Sequence, residues 1–166
     1  MYELDSITTR EAFGNTVYHL AQENEKVAAI SADTPKSLGL GKMMKEFPER
    51  AINCGIAEQN MTAMAAGMAV EGYLTFSVSY GTFTCMRALE QFRTFVAYPN
   101  LNVKLAGGMA GLSGGVEGVT HQSIEDIGIM RTIPNCTVVV PADAAATEII
   151  TKEIATHYGP AYIRLG

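Results

Sequence analysis

Short apolar, β-branched runs alternate with segments of helical periodicity from one end of the chain to the other, and that alternation constrains the fold most. Residues 27–31, 51–53, 74–79, 102–106, 137–140 and 161–164 read as strands. Between them, residues 10–25 place Phe13, Val17, Leu20 and Ala21 on one helical face, with Thr8 or Thr9 available as N-cap. Helices are also expected at 42–47, from Glu58 onward, and at 83–97, 123–131 and 144–156. Alternating strands and helices imply βαβ units, so the expected fold is α/β. It is a three-layer structure, with a mostly parallel six-stranded sheet covered by helices on both faces. Ligands of such sheets bind beyond the carboxyl ends of the strands. Asp33, Glu58, Tyr80, the stretch 107–121 and Arg164 all fall at such ends.

The 166 residues suit one domain, 1–166, with no repeat or linker and no second domain expected after the last strand. Nearly half the residues are hydrophobic and only 17% are charged, which points to extensive burial, including a subunit interface. A net charge of −5 without a Lys/Arg cluster excludes a nucleic-acid surface. Cys54, Cys85 and Cys136 show no C-x-x-C spacing and read as reduced cysteines of a cytoplasmic protein, neither disulfide framework nor zinc site. Residues 1–5 lack the basic-then-apolar pattern of a signal peptide, and no apolar run is long enough to span a membrane.

Within that frame, Gly55-Ile-Ala-Glu58-Gln-Asn-Met61 puts a carboxylate at the mouth of a helix continuing through Ala63, Met64, Ala65, Ala66, Gly67, Met68, Ala69 and Val70. A helix so apolar all round is expected to be buried on most faces. Glu58 then sits between solvent and core, where its proton affinity can be tuned, although complementing the helix dipole would also explain it. His19 and His157 lie in amphipathic helices and read as solvated. Gly39-Leu-Gly41-Lys42 lacks the earlier glycine and the hydroxyl residue of a P-loop and reads as a turn.

Several phrases, taken together and in order, resemble the pyrimidine-binding domain of transketolases over essentially the whole chain. They are Thr9-Arg10, Ser31-Ala32-Asp33 with Ser37, Gly55-Ile-Ala-Glu58, Tyr80 with Phe83, Gly118-Val-Thr-His121-Gln122, Arg131-Thr-Ile-Pro134-Asn135, Pro141-Ala-Asp143 and Ile163-Arg164. The pattern is most similar to the C-terminal subunit of split bacterial and archaeal transketolases, which normally continues into a further domain. The resemblance implies thiamine diphosphate bound between two subunits. An N-terminal diphosphate-binding subunit would hold the diphosphate and Mg²⁺ through a Gly-Asp-Gly signature that this chain lacks, so no metal ligand is expected here. The assembly would be a homodimer or heterotetramer, and the chain inactive alone.

The same resemblance implies roles. Glu58 would share a proton with ring N1′ of the cofactor, in a dry pocket that raises the carboxyl toward neutrality. Phe83 would stack on the pyrimidine, Tyr80, one helical step earlier, would back it, and Asp33 and Ile56 would line the cleft. His121 would face the substrate hydroxyls and aid proton transfer. Arg10, Ser37 and Arg164 would hold the sugar phosphate. Met109 stands where transketolases carry a second histidine, and Gly115-Val-Glu117-Gly118 replaces their Gly-Glu-Asp-Gly, with Glu117 keeping an acid at the substrate. The implied reaction is transfer of a two-carbon ketol unit between sugar phosphates, with the two departures favouring an altered sugar or anionic tail. A 2-oxoacid dehydrogenase beta subunit or a deoxyxylulose-phosphate synthase shares the glutamate and fold, but Thr120-His121-Gln122 and Ser31-Ala32-Asp33 favour transketolase. A non-catalytic assembly partner, using the small residues Ala63, Ala66, Gly67 and Val70 as an interface, is the reading from another class.

Overall fold

The computed structural model describes residues 7–166, so the leader expectation at 1–5 lies outside the described residues. Six strands, β1 (Val27–Ser31), β2 (Ala51–Asn53), β3 (Leu74–Tyr80), β4 (Val103–Gly108), β5 (Thr137–Val139) and β6 (Ala161–Arg164), form one sheet. Their order is β2-β1-β3-β4-β6-β5, and every pair is parallel. Parallel strands buried on both faces need apolar side chains at successive positions. β1, as Val-Ala-Ala-Ile-Ser, is buried throughout, as is β4.

Alternation of side chains divides that burial between two cores. On one face α1 (Thr9–Glu23), α2 (Gly41–Glu46) and α6 (Ala144–Thr156) bring Phe13, Val17, Met43 and Ile154 onto Ala29, Phe76, Val78, Ala106 and Ile163. Phe13 meets Phe76 edge-to-face at 5.7 Å, a geometry that contributes about 0.5–1.5 kcal/mol beyond area burial. On the other face α3 (Glu58–Val70) and α5 (Asp126–Met130), with the segment from Phe83 to Ala97, bring Met61, Ala65, Phe92 and Met130 onto Ile30, Leu105 and Tyr162.

The elements depart from expectation in four places. Thr8 caps α1 in a full capping box with Glu11, a pairing the sequence reading passed over. The helix expected at 83–97 consists of π turns at Phe83–Arg87 and Phe92–Ala97 around one α turn, α4 (Leu89–Gln91). The helix expected from 123 starts only at Asp126, because Ser123 forms an antiparallel bridge with Gly111. Finally, α3 buries Glu58, Met61, Thr62, Ala65, Ala66 and Ala69 but leaves Gln59, Asn60, Gly67 and Val70 exposed, so it has one open face.

Lys104 lies wholly inside β4, and its ammonium donates to the carbonyls of His157 (2.6 Å) and Gly159 just past the end of α6. Burial lowers this lysine to about 8, and the two carbonyls satisfy the charge that remains.

Chain direction around the sheet determines where a ligand can enter. From β1 the chain goes outward to β2, then back past β1 to β3, so the connections leaving β1 and β3 diverge between these neighbouring strands. The turn that follows β1 is pressed onto α1: a Cβ on Gly14 would lie 2.3 Å from the backbone of Gly39, whose φ is +74°. Gly14→Ala is therefore expected to destabilise the chain by about 1–3 kcal/mol, measured by urea denaturation; a loss near zero would show that α1 does not support this turn.

Candidate active site

At the divergence between β1 and β3 lies a cavity of about 350 Å³ lined by Ala32, Asp33, Thr34, Ile56, Glu58, Ser79, Tyr80, Phe83, Arg87 and His121. Six of the residues singled out from sequence thus share one wall: Asp33, Ile56, Glu58, Tyr80, Phe83 and His121. A larger hollow, about 610 Å³, runs between α1 and α6 on the other side of the molecule and contains none of them.

Glu58 is the first residue of α3, preceded by the left-handed turn at Gly55 (φ +75°), and the helix dipole favours a carboxylate there. Its side chain is only 2% exposed. Oε2 accepts from Arg87 Nη1 at 2.9 Å, while Oε1 has only a long contact from the Ser79 hydroxyl at 3.4 Å. The ion pair was not foreseen, because Arg87 lies 29 residues further along and enters the pocket from the first π turn. Arg87 also lies over Phe83, its guanidinium carbon 4.3 Å from the ring centroid.

The aromatic wall is continuous. His121 meets Phe83 edge-on at 5.0 Å and Tyr80 at 5.9 Å, and Tyr80 and Phe83 are 6.4 Å apart. Tyr80 is the last residue of β3 rather than a helical neighbour of Phe83, so it backs the pocket from the sheet. Thr120 Oγ1 lies 3.0 Å from His121 Nδ1 and helps orient the imidazole.

Asn53 was also missed. Its side-chain oxygen accepts from the backbone N–H of Asp33 (3.0 Å) and of Gly55 (3.1 Å), and its amide donates to Asp33 Oδ1 (3.0 Å). One side chain thereby ties the turn after β1 to the turn before α3 and holds Asp33 in its left-handed conformation (φ +59°).

The expected phosphate residues each have protein partners of their own. Arg10 Nη1 donates to the Ser37 carbonyl (3.1 Å), and Ser37 Oγ lies 3.3 Å from the Tyr80 hydroxyl, so this pair continues the aromatic wall outward. Arg10 Nε also donates to the carbonyl of Gly166 (3.2 Å), two residues past Arg164. Arg164 Nε donates to Asp126 Oδ2 at 2.9 Å, and Tyr162 donates to the same oxygen at 2.8 Å. Asp126 is buried, and its Oδ1 has no partner among the described residues. Glu117 lies exposed in a short 3₁₀ turn beside Val116 (99% exposed) and does not line the cavity. Met109 has a left-handed backbone (φ +54°) at the end of β4. Among the described residues, no group of three or more His, Cys, Asp or Glu side chains is arranged to hold a metal ion.

Comparison with known proteins agrees with this arrangement. The family model for the transketolase pyrimidine binding domain matches residues 5–166. A protein of Methanocaldococcus jannaschii described as a transketolase C-terminal section is 43% identical over 94% of the chain, which covers 49% of that protein. The 6-deoxy-6-sulfo-D-fructose transketolase subunit of a Clostridium species is 36% identical over 98% of the chain and 51% of its own length. A solved split-gene transketolase, an inactive beta4 tetramer, superimposes with a TM-score of 0.86 at 46% identity, over 97% of this chain and 51% of that one. The chain belongs to the transketolase pyrimidine-binding family. It spans about half the length of these relatives.

Two outcomes are expected. Asp126→Ala should cost about 3–5 kcal/mol in denaturant unfolding, because it strips a half-buried guanidinium of its counter-charge; a cost below about 1 kcal/mol would mean that Arg164 is held otherwise. The Cys85 thiol, buried beneath the site, is pushed by that burial to about 11. The folded chain therefore keeps a proton that the unfolded chain releases near 9, and this contribution to stability falls as pH rises between about 9 and 11. Cys85→Ala should flatten the decline in that window; an unchanged slope in alkaline unfolding curves would contradict it.

Proposed function

We propose that this chain is the pyrimidine-holding part of a thiamine diphosphate-dependent transketolase, moving a two-carbon ketol unit between sugars together with a diphosphate-binding subunit. The observation that carries the proposal is a buried carboxylate, Glu58, in the wall of the same slot as an aromatic face, Phe83, and an imidazole, His121. An aminopyrimidine needs a flat apolar neighbour and one acid or carboxylate at its ring nitrogen, and these residues fit it.

Bound thiamine diphosphate supplies a carbon nucleophile that amino-acid side chains lack. Within this chain, Glu58 Oε1, the oxygen with the weaker protein partner, is the atom available to exchange a proton with N1′. Phe83 orients the ring. His121, edge-on to Phe83, holds or gives a proton at substrate oxygens near the pocket mouth. Asp33 and Ile56 shape the rim. Mg²⁺ and the diphosphate belong to the partner subunit, in a homodimeric or heterotetrameric assembly. Three free cysteines are in keeping with a cytoplasmic enzyme.

Sugar preference is read from the outer wall. Arg10, Ser37 and Arg164 would bind an anionic tail, and Glu117 would supply a carboxylate from the neighbouring loop. The Met109 thioether offers no hydrogen to an anionic tail, in keeping with a tail held differently from that of the usual sugar phosphates. Met109→His should raise kcat/KM for phosphorylated ketoses, since histidine tolerates the left-handed backbone at this position; no change would remove the loop from the account of specificity.

The test mixes the chain with a Gly-Asp-Gly-bearing partner subunit, thiamine diphosphate, Mg²⁺ and a panel of ketose donors. Ketol transfer is expected, and Glu58→Ala should lower kcat by at least about 100-fold while the circular dichroism spectrum of the fold is retained. Equal turnover in that variant would remove Glu58 from catalysis. Stable assembly without turnover on any donor would favour the non-catalytic partner reading.

A further inference from the structure

Among the described residues Arg87 is the one strong cation in the cavity lining, and the proposed chemistry leaves it without a role. Two of its contacts stand out. Nη1 donates to Glu58 Oε2 at 2.9 Å, and the guanidinium carbon lies 4.3 Å from the centroid of Phe83. The two residues assigned to the cofactor ring, one by proton exchange and one by stacking, are therefore held by the same side chain. The pair is lopsided: Glu58 is 2% exposed, whereas the Arg87 side chain is 47% exposed at the pocket mouth.

We infer that Arg87 is a positioning residue: it clamps Glu58 through Oε2, leaving Oε1 for the cofactor ring, and fixes the plane of Phe83 beside it. This rests on the reading of the cavity as a pyrimidine site. A carboxylate offers about four lone-pair positions on two oxygens, so a guanidinium on one oxygen leaves the other free to meet a second donor. Burying a carboxylate without a counter-charge is costly, and Arg87 supplies that charge at the pocket. The other groups facing this carboxyl do not substitute for the guanidinium. The Ser79 hydroxyl on β3 is neutral and 3.4 Å away. The Cys54 thiol, in the turn before α3, contacts the carbonyls of Ser31, Gly55 and Ala57. Burial raises that thiol, with the charge of Glu58 adding to the effect. His121 touches Phe83 and Tyr80.

The test begins on the full chain alone, with ¹³C-carboxyl-labelled glutamate followed by NMR across pH, the Glu58 signal assigned by its loss in Glu58→Gln. In Arg87→Met that signal should titrate at higher pH than in the unmodified chain, and Arg87→Lys should return it most of the way. Coincident titrations in Arg87→Met and the unmodified chain would overturn the inference. Should Arg87→Met not fold, Arg87→Gln, which keeps a donor but no charge, is read in the same way. In the complex with its partner and thiamine diphosphate, the pH profile of the bound aminopyrimidine's circular dichroism band should shift in Arg87→Met, with KM for the ketose little changed. An unmodified complex that binds no thiamine diphosphate would sink the functional reading, while the carboxyl titration would still decide whether Arg87 governs Glu58.

Discussion

A carboxylate kept out of water at the first turn of α3 is the costliest feature of the candidate site, and the surrounding structure is arranged to tolerate it. Burying a lone carboxylate is unfavourable unless it is paired. Here the compensation comes from the helix dipole, from Arg87 on Oε2 and, weakly, from Ser79 on Oε1. The loop between β2 and α3 can deliver Glu58 to this place only because Asn53 ties it to the turn after β1. Divergence of the chain between β1 and β3 opens the cavity into which the carboxyl group projects. Sheet order, turn geometry and ion pair thus serve one side chain.

The surroundings continue that arrangement. Phe83, His121 and Tyr80 line the cavity, Tyr80 joins it to Ser37 and Arg10, and Arg164 is braced by Asp126 beside Tyr162. The cavity thus sets the rings of Phe83, Tyr80 and His121 beside the ion pair of buried Glu58, an arrangement suited to a flat ring that also carries a hydrogen-bonding nitrogen. One face of α3, with Gln59, Asn60, Gly67 and Val70, is open to solvent, and Ile56, Leu112, Val116 and Val119 are exposed apolar residues.

Much of the framework was legible because its signals are local. Strands buried on both faces favour consecutive apolar residues, which β1 shows plainly, whereas β3 buries Thr75, Ser77 and Ser79 and β4 buries Lys104; α6 runs over the expected residues 144–156. The glutamate, the aromatic pair and the histidine were found from short phrases and do share a pocket. Long-range pairings left no trace in the sequence. Arg87 finds Glu58 across 29 residues, Asn53 finds Asp33 across 20 and Arg164 finds Asp126 across 38. The π turns were equally silent, since widening a helical turn depends on what packs against it rather than on side-chain periodicity. Ser123 reads as helical by periodicity, yet it bridges Gly111 in the loop that follows β4.

The most direct measurement is a crystal structure of this chain assembled with a diphosphate-binding subunit, thiamine diphosphate and Mg²⁺. The account predicts the pyrimidine ring lying flat against Phe83, with N1′ about 2.7–3.2 Å from a carboxyl oxygen of Glu58. A cofactor whose pyrimidine lies outside this cavity, or one with Glu58 turned away from N1′, would contradict it.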